Sequence, residues 1–454
     1  MSDADWLARV RAHPDDDEVR LAYADACDAD DPARAELVRV QCRLARLRGH
    51  PPERKVLRDR EAALLAAHRE RWVGPLHARV RWPWFRRGFL EQVTLHPEES
   101  PSVLEDLLAA HPVRALAFAD GDDVELTRPL ATSMARWAEA PVLARLEALD
   151  GTEQMLGHDA WRVLLRSPHL RELPELVIGD HDATPDTAAA IAAEPGPRLR
   201  RLTVSGYLAA SLGDDGVAHL AAAPHLGSLE HLALWNCRCA AGAGAALAGG
   251  PWTSTLVTLH LGLGQYALNQ LGPDGARALA AGVFPRLETL DLDFNALGDD
   301  GGEAIVESRG FPALTYLTLH ANELTNVTLR AFMRAHDRMP RLSALDLSLN
   351  RIDGGGLSSL ASYRLLAQLR GLWLRGNPIW PGGVAALAAS PRAAGLRDLD
   401  LSDTALGKDP AAAAAALAGS PHLQDLERLR VARSGLTDAE RARLRDRFGD
   451  RVRW

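Results

Sequence analysis

The phrase Leu-x-x-Leu-x-Leu-x-x-Asn returns at a near-constant period along this 454-residue chain, and it limits what the chain can fold into. It is plainest as LETLDLDFN from Leu287, LTYLTLHAN from Leu314, LSALDLSLN from Leu342 and LRGLWLRGN from Leu369. Weaker copies begin at Leu199, Leu229, Leu256, Leu396 and Leu426, giving successive spacings of 30, 27, 31, 27, 28, 27, 27 and 30 residues. Still fainter ones can be set at Leu90, Val113, Leu143 and Leu173. Alternating leucines make one inward face of a short strand. The side-chain amides of Asn295, Asn322, Asn350 and Asn377 can satisfy backbone groups where the chain then turns. Segments such as DGARALAAG and GGVAALAAS come next, with a Gly or Asp lead-in and helical spacing. One strand and one helix cannot bury their apolar faces alone. Stacked units can, with a parallel sheet on one side and helices on the other. Helices are wider than strands, so the stack is expected to curve into a horseshoe with the sheet lining its hollow.

These residues resemble the leucine-rich repeat family in its long-repeat, ribonuclease-inhibitor-like form. The resemblance covers Leu199 to the C-terminus and extends over Leu90 to Gly196. It implies an α/β solenoid and is nearly silent on function. Cys237, Gly264, Thr404 and Ser434 replace the turn asparagine. Cys, Thr and Ser can still hydrogen-bond there, whereas Gly264 cannot, so local distortion is expected. Residues 1–70 lack the repeat and read as helical. Their words HPDDDEVRLAYAD and DPARAELVRVQ, with RRGF at Arg86 to Phe89, resemble a small companion domain that precedes leucine-rich repeats in bacterial proteins. That implies a bacterial origin and no particular chemistry. The expected layout is a helical companion domain at 1–70 and a Trp/Arg-rich joint at 71–90. About 12–13 repeats at 91–436 come after it, the first four degenerate, and then a C-terminal capping helix at 437–454. In the joint, Trp72, Trp82, Trp84 and Phe85 are expected to cover the first repeat. At the far end, Thr437 and Glu440 form a T-x-x-E capping box.

Composition narrows the class further. Hydrophobic residues make up 47% and charged residues 25%, enough apolar surface for a large core without disorder. No apolar run reaches the ~20 residues of a membrane span, and the start MSDADWLARV has acids where a signal peptide needs bases. Four cysteines and no export signal suggest a reducing cytoplasm. The net charge of −8 argues against a general nucleic-acid binder. Only Lys55 and Lys408 are lysines, an arginine bias that a GC-rich genome explains. Residues 1–31 carry ten acids against three arginines, while residues 32–90 carry fifteen bases against five acids. The favoured expectation is that these parts face each other or form solvated helix faces. The sharper one is a basic surface at 32–90 for nucleic acid or an acidic partner.

No nucleophile elbow, Walker loop, metalloprotease helix or paired CxxC is present. Cys237 and Cys239 read as packing residues, and Cys27 and Cys42 as buried helix residues. The repeat register aligns residues on neighbouring strands about 5 Å apart. One column facing the hollow runs Thr203, Ala233, His260, Asp291, Thr318, Asp346, Trp373, Asp400, Arg430. The next runs Ser205, Trp235, Gly262, Asp293, His320, Ser348, Arg375, Ser402, Ala432. Asp398, Asp400 and Asp403 stand opposite Arg428, Arg430 and Arg433 as a cross-strand clamp. His260, Asp291, Asp293 and His320 could ligate a divalent metal or work as base and orienter, but an open sheet excludes water poorly. Aromatic side chains on such a face suggest an interface. The leading expectation is a non-enzymatic scaffold, without cofactor or metal, binding a protein or peptide through the concave face. Trp235, Phe294, Tyr316 and Trp373 would be its apolar anchors. His231, His260, Asp291, Asp293, His320 and Arg375 would set polarity. Tyr266, in the long unit after Leu256, could reach a partner from the rim. The alternatives are the His/Asp hydrolytic site and nucleic-acid binding by residues 32–90. No membrane association is expected, and the chain alone should be a monomer.

Overall fold

The computed structural model describes residues 2–47, 52–118, 130–152, 156–179, 182–193, 196–206, 211–262, 269–335 and 337–454. It forms two compact units, Met1–Gly179 with Pro195–Pro197, and Asp180–Glu194 with Arg198–Trp454.

The first unit opens with four helices, α1 (Asp3–Ala12), α2 (Asp17–Cys27), α3 (Pro32–Arg46) and α4 (Pro52–Val73). Each of the first three starts where the sequence supplies a cap. Ser2 and Asp5 close a capping box, Asp16 accepts from the Glu18 amide, and Asp31 precedes Pro32 and accepts from Arg34. Val10, Val19, Ala24, Ala35, Val38 and Cys42 form a core completed by Phe89. Phe89 begins β2 (Phe89–Leu95), which pairs antiparallel with β1 (Trp84–Arg86). The hairpin turns on Arg87 and Gly88, both at positive φ. A Cβ on Gly88 would lie 2.1 Å from Val38 Cγ2, so glycine is required twice over. Gln41 on α3 accepts the Gly88 amide at 2.6 Å and donates to the Phe85 carbonyl at 2.8 Å. Buried Arg20 pairs with buried Glu91 on β2. The RRGF word is therefore the hairpin that fastens the helices to the first strands.

β3 (Ala115–Phe118), β4 (Ala148–Gly151) and β5 (Glu175–Ile178) continue in parallel from β2, aligning Val93, Leu116, Leu149 and Leu176. The repeat starts at Leu90, Val113 and Leu173 fit this register. The remaining one begins at Leu146, three residues beyond Leu143, because Leu149 occupies the inward strand position. Trp72 and Phe85 are buried, whereas Trp82 and Trp84 are 47% and 53% exposed and border a cavity with Gln92, Thr94 and Ala117 of the first strands. Alternation along β1 sends Phe85 inward and leaves Trp84 on the other face. The charge asymmetry resolves into local pairs. Arg39 meets Asp25, Arg46 meets Asp17, Arg71 meets Asp31 and Arg86 meets Asp15, all within 2.8 Å.

The second unit carries β6 (Arg201–Ser205), β7 (His231–Trp235), β8 (Thr258–His260), β9 (Thr289–Asp291) and β10 (Tyr316–Thr318). Then come β11 (Ala344–Asp346), β12 (Gly371–Trp373), β13 (Asp398–Asp400), β14 (Arg428–Arg430) and β15 (Val452–Arg453). All pair in parallel with their sequence neighbours, and Leu202, Leu232, Leu259, Leu290, Leu317, Leu345, Leu372, Leu399 and Leu429 lie in one register. Helices such as Gly272–Ala280, Gly298–Glu307 and Pro381–Ala389 come after their strands and cover the leucine side. The capping box at Thr437 opens helix Asp438–Phe448, after which β15 adds a further strand. Among the described residues, no helix is long and apolar enough to cross a membrane.

The buried turn asparagines hold the repeats together. Asn322 Nδ2 donates to the carbonyls of Leu292 (2.8 Å) and His320 (3.1 Å), while its Oδ1 accepts from the amides of Asn295 (3.0 Å) and Leu297 (3.3 Å). Asn350 does the same one repeat on, and Asn377 accepts from Ile352. Cys237 Sγ reaches the Val204 and Trp235 carbonyls, reproducing half of the asparagine pattern. Thr404 and Ser434 donate to the Leu401 and Val431 carbonyls, each at 2.6 Å. Gly264 and Tyr266 lie outside the described residues. Asn269, five positions beyond the Gly264 slot, supplies the missing amide. It donates to Leu234 and Leu261 and accepts from the Cys239 amide at 3.0 Å. Replacing Asn322 by alanine strands the buried Leu292 carbonyl and the amides of Asn295 and Leu297, while the His320 carbonyl keeps the Phe294 amide. The variant is expected to lose about 2 kcal/mol or more in urea unfolding, against about 1 kcal/mol for Thr404→Ala, which gives up a single hydroxyl bond.

Candidate functional site

The sheet face away from the helices holds every anchor and polar residue read from the sequence, all within the second unit. The parallel register places His260 beside Asp291, Asp291 beside Thr318, Thr318 beside Asp346 and Asp346 beside Trp373. Tyr316 and Trp373 meet edge to face at 6.0 Å between ring centroids, and the Phe294 ring lies 5.0 Å from that of His320. Trp373 folds back over its own strand, where a Cβ on Gly371 would come within 2.5 Å of its ring. These rings thus rest partly on neighbours. Trp235 is half-buried at the Ser205 position of the preceding strand, and its indole N–H is shielded without a partner among the described residues. His231 Nδ1 lies 2.6 Å from Thr258 Oγ1.

The aspartates do two jobs. Asp291, Asp346 and Asp400 each accept a hydrogen bond from the backbone amide two residues on, at 3.0, 2.8 and 2.8 Å, and so shape the strand exit. Asp291 also faces His260 Nδ1 at 3.2 Å. Gly262 leaves room for this turn, since a Cβ there would fall 2.0 Å from Asp291 Oδ1. Asp293 accepts from the Thr318 hydroxyl and, at 3.1 Å, from the His320 amide. Burial, reinforced by the charge of Asp291, pushes the Asp293 carboxyl up to about 7. Burial also raises Asp346, against the hydrogen bonds from Ser348, and lowers the His320 imidazole, against the Asp346 charge. Arg375 is turned to Asp403 at 2.7 Å, and that carboxylate also takes Arg433 at 2.6 Å, holding it at about 2. Beside it, Asp398 receives Arg428 and Arg430 at 2.8 and 3.0 Å, completing the clamp.

The four residues considered for metal or hydrolytic work are not brought together. His260 engages Asp291, whereas Asp293 is occupied by Thr318 and the His320 ring turns to Phe294. Among the described residues, no three His, Cys, Asp or Glu side chains are grouped to hold a metal. All four cysteines are free, and burial pushes the thiol of Cys42 up to about 11 and that of Cys237 to about 12.

Two participants escape a reading of the sequence alone. Asp346 is visible in the His260 column and completes the half-buried acidic patch with Asp291 and Asp293. Leu349 is 43% exposed and occupies the same repeat position as Phe294, which is 37% exposed. That position, immediately before the turn residue, is left-handed in repeat after repeat. It holds Asn236, Phe294, Ala321, Leu349, Gly376, Asp403 and Arg433, with φ between 50° and 70°. Glycine suits it, as Gly376 shows, and a phenylalanine there is strained.

The raised Asp293 gives a signed pH dependence. Its carboxyl ionises near pH 4 in the unfolded chain but near 7 in the folded one. Between those values the folded state keeps a proton that the unfolded state has released, so its contribution to stability falls as pH rises through the window. Asn at this position keeps the acceptor oxygen for Thr318. Asp293→Asn should therefore raise the melting temperature at pH 8 and leave it nearly unchanged at pH 4, as read by scanning calorimetry.

Residues 286–306 and 340–361 match the Leucine Rich repeat family. No curated protein matches the sequence. Among solved structures, the chain is similar to the Rad7 and Elc1 complex of yeast, with 20% identity and a TM-score of 0.42 over 71% of this chain and 80% of that one. It is also similar to a leucine-rich repeat protein of Leptospira interrogans, with 16% identity and a TM-score of 0.40 over 80% and 90% of the two chains. An internalin of Listeria monocytogenes is 17% identical, with a TM-score of 0.36 over 69% and 82%. With its strand–turn–helix units in one parallel register, buried turn amides joining the central units and two segments matching the family, the chain carries leucine-rich repeats.

Proposed function

We propose that this protein is a non-enzymatic scaffold whose second unit binds a protein or peptide on the open, concave face of the sheet. Phe294, Tyr316, Trp373 and Trp235 are the anchors, and Leu349 extends the apolar row. Phe294 carries the reading. A bulky aromatic is held exposed at a left-handed turn position that another repeat fills with glycine, so the turn requires the backbone conformation but not the ring. Strain of this kind costs of order 1–3 kcal/mol and is tolerated where a residue serves something other than folding. Around the rings, Asp291, Asp293 and Asp346 offer acceptors that are only partly solvated, so a partner segment with a basic side chain among apolar ones fits best. His260, His320, His231 and Arg375 orient that segment. The rigid sheet supplies its area with little ordering cost.

Stability and binding should part company at this residue. Phe294→Gly is expected to stabilise the chain by about 1 kcal/mol, because glycine adopts the left-handed region freely. The same variant should weaken capture of the native partner at least tenfold. A Trp235→Ala, Phe294→Ala, Trp373→Ala variant with an unchanged circular dichroism spectrum should lose it entirely. A partner retained by the triple variant would place the binding site off this face.

A further inference from the structure

In the first unit, a buried guanidinium has no partner. Arg34, on the first turn of α3, is 7% exposed, yet among the described residues its side chain makes no hydrogen bond or ion pair, and its Nε is fully shielded. The rings of Trp72, Phe85 and Phe89 stand 5.2, 5.4 and 5.5 Å from its Cζ. Ring faces attract the cation but accept none of its five N–H donors. The nearby carboxylate is already engaged, since Asp31 takes the Arg71 guanidinium at 2.7 Å, the Trp72 indole N–H at 2.9 Å and the Arg34 backbone amide at 3.1 Å. A buried charge left without hydrogen bonds is among the costliest features a fold can carry. Burial accordingly draws the Arg34 pKa below its ordinary value.

The guanidinium borders a cavity of about 450 Å³. Trp6, Tyr23, Trp72 and Phe89 supply its aromatic walls, and His111 closes one side with its ring donating to the Val73 carbonyl at 3.1 Å. Arg71 also lines it, but its charge is met by Asp31. The space exceeds what an inorganic anion fills, and the flat walls suit a ring. We propose that this cavity is a binding site for a small organic carboxylate with a flat apolar body. The carboxylate would take the Arg34 fork, two N–H groups to two oxygens, and the ring would lie among Trp6, Tyr23, Trp72 and Phe89. This site is independent of the scaffold reading above, because it involves none of the same residues.

Isothermal titration of the full chain with 2-naphthoate, and with 2-naphthamide as its neutral counterpart, tests it. The acid is expected to bind at least tenfold more tightly than the amide. Arg34→Gln, checked for fold by circular dichroism, should lose at least that factor for the acid and little for the amide. Equal binding of acid and amide to the unmodified chain, or no binding of the acid, would overturn the proposal. That comparison stands even where the Arg34 variant fails to fold. Undiminished binding of the acid to a folded Arg34→Gln variant would overturn it as well.

Discussion

A buried amide that answers two repeats at once is the interaction on which the second unit depends. At the end of each strand the backbone leaves the ladder and turns inside the protein, where unpaired carbonyls and amides are expensive. Asn322 meets this need with one side chain, bonding to Leu292, Asn295 and Leu297 of the preceding repeat and to His320 of its own. Leucine packing drives the stack together, but it is non-directional and would tolerate sliding. The amides count the repeats and fix their spacing, and the strand register depends on them.

The open face inherits its form from that requirement. To deliver the amide inward, the preceding residue must turn left-handed, which throws Phe294 and Leu349 onto the rim. The aspartates of the His260 column hold the strand exit through the next-but-one amide, and this brings carboxylates into a half-buried row that solvent reaches poorly. Electrostatics and strain on this surface are therefore consequences of building the repeat. They become chemically useful only where the chain chose Phe294 or Asp293 over the glycine and serine found at the same places in other repeats, Gly376 and Ser348.

Most of the repeat fold is legible in the sequence because leucine periodicity and burial are the same fact seen twice. The second-unit register comes from spacing alone, down to the Asp398–Arg428 and Asp403–Arg433 pairs. The faint repeats are harder. LARLEALD offers leucines at both 143 and 146, and only the strand pairing of Leu149 chooses between them. The exposure of Trp84 is set by alternation along a three-residue edge strand, which the density of tryptophan in the joint does not reveal. Of the site, the columns are readable but the backbone is not. Nothing in the letters FN or LN announces a left-handed residue, and the isolation of Arg34 depends on where Asp31 spends its oxygens.

In the unit after Leu256, the position of the amide is set by contact and not by count. Asn269 supplies it five residues later than in the other repeats, yet Leu259 and Leu290 still pair in step. Length added between the strand and its amide is thus absorbed without disturbing the neighbours. A protein built this way can acquire new loops at that edge one at a time, and an engineer could splice a foreign segment there while leaving the rest of the stack in phase.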